Sequence, residues 1–398
     1  MMTRSYWHQQ DRAPAISCDV AIVGAGIAGA STAFWLKKIE PALDVAVIDA
    51  AEVGTGASGR NAGFLLQGIA TDYLTDIDRY GRKAAQRLWQ FTMENRQLLE
   101  SELDPSAIDL ERTGSLIVAG SDEEDERLRA SVAPLRADGI PAAYVPPEKV
   151  RERTLSRGFF GGLNVPSGAM CNPLRLVQHI LQMSRAQLFE RHPVEEFKTA
   201  AGDVHLLTRS RTFRAAQVLI ATNAATISGV ERPDTLIRPV RAQMFSTRPH
   251  SPRRLPMPLY SHEGNYYVRQ LDSGELLLGG ARHQHADDEV GFEDRVTEPV
   301  QDALRDYLQR HFPWASGAKV QRRWSGTMGF TDDGLPLFGE VSSAPGSFYA
   351  GGFNGHGMGM AFRFGKLLAE LLLNRARPAF VDLFTQDRLN EQAVSLAE

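Results

Sequence analysis

Apolar and polar positions near the amino terminus follow the order of a strand, a helix and a second strand. Residues 20–23 form an apolar run with β-branched residues, as in a buried parallel strand. Small and apolar residues then continue as far as Leu36, which suits a helix packed closely on a sheet. A second apolar run ends at Asp49, so the pattern predicts a strand–helix–strand unit here.

A glycine-rich stretch at 348–360 precedes another predicted helix. It holds five glycines in thirteen positions, and glycine costs backbone entropy, so we expect something to approach this backbone closely. The helix is predicted to begin near Met358, because apolar residues recur at intervals of three or four, leaving its first N–H groups facing the glycines. These apolar residues are Met360, Phe364, Leu367 and Leu371.

The middle of the chain predicts one long amphipathic helix and several short strands. Residues 82–103 have helical spacing, and 238–247 and 266–280 carry strand patterns separated by a proline-rich connector at 250–259. The apolar face of the helix would carry Leu88, Phe91, Leu98 and Leu99.

Composition narrows the classes of protein. A chain of 398 residues favours two or three domain-sized units. The 44 basic and 48 acidic residues give no electrostatic case for nucleic acid or an anionic membrane as partner. No membrane span or targeting signal is predicted. Cys18 and Cys171 have no metal-type spacing, so we expect a cytoplasmic protein with no disulfide framework and no metal site, the segment 283–289 included.

The first glycine cluster has the spacing of a dinucleotide site. Gly24, Gly26 and Gly29 form GxGxxG between the first strand and the helix, and Asp49 follows twenty residues later. A diphosphate must rest on amide N–H groups at a helix N-terminus, and the acid accepts hydrogen bonds from ribose hydroxyls. The predicted contacts here are Gly24, Ala25, Gly26, Ile27, Gly29, Asp49 and Ala50.

A second glycine-rich loop indicates which dinucleotide is bound. The segment 50–68 contains GTGASGRNAG, for which a nicotinamide enzyme has no evident need. It resembles the D-amino-acid oxidase/glycine oxidase/sarcosine oxidase superfamily of FAD enzymes, and GASGRNAG is similar to the gamma-glutamylputrescine oxidase branch. Further landmarks occur in the order typical of the family, so that the resemblance covers about residues 18–375. These landmarks are 161–180, 191–197, 215–226, 266–280 and 324–340.

The resemblance implies a mixed α/β fold with two domains. A Rossmann-type FAD-binding domain would be discontinuous, and an antiparallel-sheet substrate domain would cover the flavin. The predicted FAD-binding segments are 15–80, 150–228 and 325–390, and the substrate-domain segments are 81–149 and 229–324.

The resemblance also implies further FAD contacts. Val194 would touch the adenine, and the glycine loop at 351–359 would lie against the flavin ring, with the helix N-terminus at its pyrimidine end. The implied contacts are Gly56, Ala57, Ser58, Arg60, Asn61, Ala62, Gly63, Val194, Ala221, Thr222, Asn223, Gly352, Asn354, Gly355, His356, Gly357 and Met358.

The family reaction is oxidation of a C–N bond, in which a hydride passes from the carbon bearing a neutral amine to the flavin and the imine hydrolyses. The implied partners are a small amine or amino-acid derivative and O2 or a quinone. Alternatives stay open: a dehydrogenase that uses a quinone or a partner subunit, a 2-hydroxy acid as substrate, or a scaffold that holds FAD without turnover.

Three positions depart from the relatives. Met328 stands where amino-acid oxidases have a carboxylate-binding arginine, a role that Arg269 could take. Leu277 stands where monomeric sarcosine oxidases have an oxygen-activating lysine. Ser325 stands where relatives attach flavin through cysteine, and there is no histidine near Arg60, so noncovalent FAD is expected.

The candidate pocket residues come from strands of the predicted substrate domain and from the last glycine loop. About half of the strand residues would point away from the pocket because side chains alternate. His356 would be a catalytic group or a structural hydrogen-bonder. One of His262, His283 and His356 could supply the missing positive charge. The candidates are His356, Tyr260, His262, Tyr267 and Arg269.

Overall fold

Two large sheets, each covered by helices, form the framework of the chain. A computed structural model describes residues 14–69, 71–200, 202–230, 236–252, 255–375 and 380–389. Residues 1–13, on which the targeting expectation partly rests, and residue 390 lie outside these ranges. Within them, no helix is long and apolar enough to cross a bilayer.

The first sheet is largely parallel, and its central strands are apolar because helices cover both faces of such a sheet. Residues 20–23 of β1 are buried, as a central strand covered on both faces requires. Strand β1 pairs in parallel with β2 and β11, and β9, β10 and β17 form the antiparallel additions. The strand order is β17-β18-β11-β1-β2-β8, with β10 paired to β11 and β9 paired to β10. The strands are β1 (Ile16–Val23), β2 (Val45–Ile48), β8 (Gln187–Phe189), β9 (Glu196–Ala200), β10 (Asp203–Leu207), β11 (Thr212–Ile220), β17 (Leu337–Glu340) and β18 (Phe348–Gly351).

Two helices that follow glycine loops pack against each other on this sheet. They are α1 (Ile27–Ile39) and α9 (Gly357–Leu372). A Cβ on Gly365 would lie 2.5 Å from the Ser31 Cβ, so only glycine permits this approach. Trp35 Nε1 donates to the Phe362 carbonyl at 2.9 Å. The two glycine-rich loops are therefore held at one edge of the same sheet.

The second sheet is antiparallel except for the β13–β4 pair. Its order is β16-β12-β15-β14-β13-β4-β6-β5. Its strands are β4 (Ser115–Val118), β5 (Ala143–Val145), β6 (Gly162–Val165), β12 (Arg238–Thr247), β13 (Leu259–Ser261), β14 (Tyr266–Gln270), β15 (Leu276–Gly280) and β16 (Val320–Phe330). Helix α8 (Glu298–His311) packs its apolar face on this sheet.

A two-stranded sheet and further helices complete the described chain. Strands β3 (Phe64–Leu65) and β7 (Ala169–Met170) pair antiparallel, and Cys171 N donates to Gly63 O at 2.8 Å, which anchors the second glycine loop. The other α-helices are α2 (Ala57–Arg60), α3 (Tyr73–Tyr80), α4 (Arg82–Glu102), α5 (Asp122–Ala137), α6 (Pro147–Thr154) and α7 (Pro173–Ser184). Short 3-10 helices are Arg282–His285, Pro313–Ala315 and Val381–Phe384.

The mixed α/β fold class is confirmed, and several elements agree closely with the sequence pattern. Helix α4 ends one residue before the predicted limit, β12 has the predicted bounds, and α9 begins one residue before Met358. The landmark 191–197, which resembles a strand of the family, is a strand only from Glu196 onward, so Val194 lies just before β9; Pro193 lacks the N–H that a strand ladder needs. Strand β6 joins the second sheet although it lies in a predicted FAD-binding segment, and the domain boundaries stay a prediction.

Candidate active site

The larger of two adjoining cavities lies between the glycine-rich loops and has a volume of about 490 Å³. Its walls come from the turn after β1, the loop at 54–61, the turn after β11 and the start of α9. Seventeen of the predicted FAD contacts line it: Gly24, Gly26, Ile27, Asp49, Ala50, Gly56, Ala57, Ser58, Asn61, Val194, Ala221, Thr222, Asn223, Asn354, Gly355, Gly357 and Met358. Residues of the lining that sequence reasoning missed include Pro193 and Phe292.

The turn after β1 is shaped by two glycines, Gly24 and Gly29, that no other residue could replace without a clash. Gly24 has φ +109°, and a Cβ there would lie 2.6 Å from the Ala221 carbonyl oxygen. A Cβ on Gly29 would lie 1.9 Å from the Gly24 carbonyl oxygen. Gly26 precedes α1 as its N-cap and has no side chain of its own to place over the helix. The backbone of the turn and of the first helical residues therefore lines the cavity, which suits a diphosphate.

Asp49 and Ser58 fix this turn through hydrogen bonds to its backbone. The Asp49 carboxylate accepts from Ala25 N at 2.6 Å and from Ala51 N at 2.8 Å. Ser58 Oγ accepts from Ile27 N at 2.9 Å. The second glycine loop therefore supports the first glycine loop directly, a contact between distant segments that spacing alone does not indicate.

Arg60 holds the second glycine loop against the second sheet. Its guanidinium donates to Thr55 O, to Ser325 O at 2.9 Å and to the Asp294 carboxylate at 2.7 Å. Trp324 Nε1 donates in return to Arg60 O at 2.8 Å. Asn61, in contrast, lines both cavities. The predicted contacts that do not line the larger cavity are Ala25, Gly29, Arg60, Ala62, Gly63, Gly352 and His356.

The last glycine loop is ordered by asparagine side chains. Asn223 Oδ1 accepts from Gly352 N at 2.9 Å, and Asn354 Oδ1 accepts from Thr331 N at 3.0 Å. Gly352 and Asn354 both have positive φ, which asparagine tolerates better than most residues. The loop leads into α9, whose N-cap His356 makes no side-chain capping bond. Its first residues Gly357 and Met358 line the larger cavity.

The smaller cavity, of about 170 Å³, adjoins the larger one and faces the second sheet. Five residues line both and form their shared wall: Asn61, Met328, Asn354, Gly355 and Met358. Of the predicted pocket residues, Tyr260, Tyr267 and His356 line it, together with Ala62 of the second glycine loop. This arrangement places a compact chamber, lined by both aromatic and polar side chains, beside the start of α9.

His356 is a neutral hydrogen-bonding residue in this chamber. Its Nδ1 lies 3.0 Å from the Asn354 carbonyl oxygen, which only accepts, so Nδ1 carries the proton. Its Nε2 lies 3.2 Å from the Tyr260 hydroxyl and accepts from it. Burial lowers the pKa of His356, which keeps the ring uncharged at neutral pH. The lowered pKa argues against His356 as the source of positive charge.

His262 and His283 do not supply that charge to the cavities either. His262 packs among the rings of Tyr307, His311 and Phe159, and burial lowers its pKa to about 4. The pKa of the exposed His283 is also lowered, mainly by desolvation. Neither residue lines a cavity. His262 lies just beyond β13, and its positive φ of 54° takes its ring out of the strand alternation that places Tyr260 in the chamber.

Arg269 is a structural residue rather than a cavity residue. Its Nη1 donates to the carbonyls of Ala62 at 3.0 Å and Cys171 at 2.8 Å, and its Nη2 pairs with Glu111 at 3.2 Å. It is therefore buried behind the second glycine loop and lines neither cavity. Sequence reasoning missed Arg282, two residues beyond β15, which does line the smaller cavity.

The three departing positions are now placed. Met328 lies in the shared wall. Leu277 lies on β15 opposite Arg269 and lines neither cavity. Ser325 is buried, and its hydroxyl donates to the Asp294 carboxylate at 2.8 Å. Among the described residues, no group of three or more side chains could hold a metal ion.

A family model for FAD-dependent oxidoreductases, named DAO, matches residues 19–371. The chain belongs to the DAO family of FAD-dependent oxidoreductases. It is an oxidoreductase with FAD as its cofactor, and the backbone at the start of α1 and the glycines of the larger cavity fit that group.

The relatives extend over nearly the whole chain. Gamma-glutamylputrescine oxidoreductase of Escherichia coli (strain K12) is 28% identical over 384 residues, which are 92% of this chain and 87% of the relative. Glycine oxidase from Geobacillus kaustophilus has the same fold, with a TM-score of 0.78 at 23% identity over 92% of this chain and 96% of that one. The structure of L-proline dehydrogenase from P. horikoshii matches with a TM-score of 0.79 at 20% identity, over 96% of this chain and 99% of that one. The two-domain flavoenzyme fold is thereby confirmed.

Proposed function

We propose that this DAO-family enzyme oxidises the C–N bond of a primary or secondary amine or amino-acid derivative to an imine, which then hydrolyses. The observation that carries the proposal is the chamber that adjoins the cofactor cavity at the start of α9. FAD, when bound, supplies the hydride acceptor. The relatives named for gamma-glutamylputrescine and glycine support an amine as substrate.

The chain's own residues would position the substrate and keep its nitrogen unprotonated. Tyr260, Tyr267 and Phe330 give the chamber aromatic walls that leave less room for water, and the Arg282 cation that also lines it disfavours an ammonium ion. His356 is neutral and hydrogen-bonded at both nitrogens, so it orients Tyr260 and is not itself a free base for the reacting carbon. Position and exclusion of water would then lower most of the barrier.

Met328 bears on which amines are accepted. Because methionine cannot pair with a carboxylate, the shared wall offers no clamp for an α-carboxylate. We expect anaerobic bleaching of the flavin to be fastest with an amine that lacks an α-carboxylate, in a panel of amines, N-methyl amino acids, polyamine derivatives and 2-hydroxy acids. Faster bleaching by glycine or D-alanine would contradict the role given to Met328. Bleaching by hydroxy acids alone, or by nothing, would contradict amine oxidation.

The electron acceptor is O2 or a quinone, and a quinone or partner subunit has one observation in its favour. No lysine lines either cavity in the described part of the chain, and Leu277 occupies the position of the oxygen-activating lysine. Admission of oxygen to the bleached protein distinguishes the two, since an oxidase would form peroxide within seconds. A cytoplasmic location stays a prediction.

FAD is expected to leave the denatured protein. Ser325 cannot form the thioether made by a cysteine, and its hydroxyl is already bonded to Asp294. Acid precipitation should therefore release all yellow colour into the supernatant, measured by flavin absorbance of the two fractions. Colour that stays with the washed pellet would show a covalent bond.

A further inference from the structure

Arg282 is a cation of the smaller cavity that has no anionic partner. It opens the 3-10 turn Arg282–His285, and its guanidinium carbon lies 4.7 Å from the centre of the Phe330 ring, which lines the same cavity. Within the part of the chain that the structure describes, its guanidinium donates no hydrogen bond and forms no ion pair. Its five N–H donors therefore lie at a half-buried position without a bonded acceptor from the described residues.

Two other inward-facing arginines of the same sheet have hydrogen-bond partners. Arg241 forms a two-point pair with Glu289, at 3.1 and 3.2 Å. Arg269 donates to two backbone carbonyls and to Glu111. Folded proteins satisfy buried donors in this way because an unsatisfied one costs stability. Arg282 differs because it lies over the Phe330 ring, lines the cavity and has no such partner among the described residues.

The position of Arg282 within the cavity restricts what it could bind. The shared wall, where the cofactor cavity meets the chamber, has the side chains of Asn61, Met328, Asn354 and Met358 and no cation. Arg282 lines the chamber only. A carboxylate on the reacting carbon would lie at the shared wall, whereas a carboxylate several bonds away could reach Arg282.

We propose that Arg282 binds a substrate carboxylate that is remote from the carbon to be oxidised, and so selects amines that bear such a group. That the bound molecule is an amine substrate rests on the proposed amine oxidation. The guanidinium would pair with the carboxylate at two points, while Phe330 holds the guanidinium plane in place. Desolvation lowers the pKa of Arg282 but leaves it a cation, and its charge also disfavours a protonated amine in the chamber.

The test compares 5-aminopentanoate, pentan-1-amine and 2-aminopentanoate as reductants of the holoenzyme under anaerobic conditions. We expect 5-aminopentanoate to half-saturate at the lowest concentration. Arg282→Met should raise that concentration about 10- to 100-fold, as loss of a two-point charged hydrogen bond predicts, and should affect pentan-1-amine far less. Arg282→Lys should fall between, since it keeps the charge without the planar fork.

Arg322→Met is the matched control, because Arg322 is an exposed arginine of β16 that lines neither cavity. A second readout is independent of turnover: pentanoate, which has no amine, should perturb the flavin spectrum of the unchanged protein and of Arg322→Met, but not of Arg282→Met. Arg282→Gln serves the same comparison if the methionine variant does not fold.

The outcomes separate the two proposals. If no amine bleaches the flavin but pentanoate binding depends on Arg282, the carboxylate site stands and amine oxidation fails. If amines bleach it and Arg282→Met weakens carboxylated and plain amines equally, the carboxylate site is overturned. Tighter saturation by 2-aminopentanoate than by 5-aminopentanoate would overturn the remote position.

Discussion

Replacing Gly29 by alanine is expected to leave a protein that holds less than about a tenth of the FAD bound by the unchanged chain. The added Cβ would lie 1.9 Å from the Gly24 carbonyl oxygen and 3.1 Å from Ile22 Cγ2. Both neighbours belong to a buried strand and its turn, so the helix must shift away from the sheet. The N–H groups of α1 would then no longer meet the diphosphate. FAD content, measured from flavin absorbance per protein, reports the loss.

A second variant separates FAD binding from folding. Gly26 has φ −74°, which any residue adopts, and a Cβ there meets only Ser58 Oγ at 3.1 Å. Gly26→Ala should therefore fold, with unchanged circular dichroism. It should weaken FAD binding less than Gly29→Ala does. Gly317→Ala is the control, since Gly317 is exposed and the nearest atom to its Cβ would be 3.5 Å away. Full FAD content in Gly29→Ala would show that the diphosphate lies elsewhere.

The cofactor half of the site was largely readable from sequence, for a physical reason. A dinucleotide is held mainly by backbone at a strand–turn–helix junction, so its requirement appears as glycine spacing within one short segment. Gly24, Gly26 and Asp49 lie where that spacing predicts. The sequence signal for the helix after the last glycine loop is equally local, because one apolar periodicity determines both its start at Gly357 and its buried face.

The substrate half was less readable, because it depends on the directions of side chains from separate strands. Tyr260 and Tyr267 sit opposite each other on β13 and β14 and both reach the chamber, whereas Arg269 lies two residues further and points behind the second glycine loop. No periodicity in one strand shows which face meets a cavity. Arg282 follows the end of a strand, where alternation no longer applies.

Contacts between distant segments were also beyond sequence reasoning. Ser58 supports Ile27, and Arg60 ties its loop to Ser325 and Asp294. Each contact needs two elements already placed by the fold. These contacts make the cofactor cavity depend on the second sheet, so the loops that line it are held from both sides.

Replacing Arg241 by methionine is expected to destabilise the fold by about 3–5 kcal/mol, because it leaves a buried carboxylate without its cation. The Arg241 and Glu289 side chains are 0% and 1% exposed. Arg241 also donates to the carbonyls of Asp288 and Glu293, so its loss should loosen the segment that carries Arg282 and Phe292. The shift of the urea unfolding transition measures the first effect, and faster proteolysis within 282–297 measures the second.

The same strand offers a matched control. Arg238 is the first residue of β12 and pairs with Asp332 at 2.9 Å, but the two side chains are 63% and 78% exposed. Arg238→Met should therefore cost only about 0–1 kcal/mol, as exposed pairs do. Because the cost of Arg241→Met comes from the orphaned carboxylate rather than from the lost attraction, Arg241→Met with Glu289→Leu should recover most of it. An Arg241→Met variant no less stable than Arg238→Met would contradict the buried pair as the anchor of the Arg282 segment.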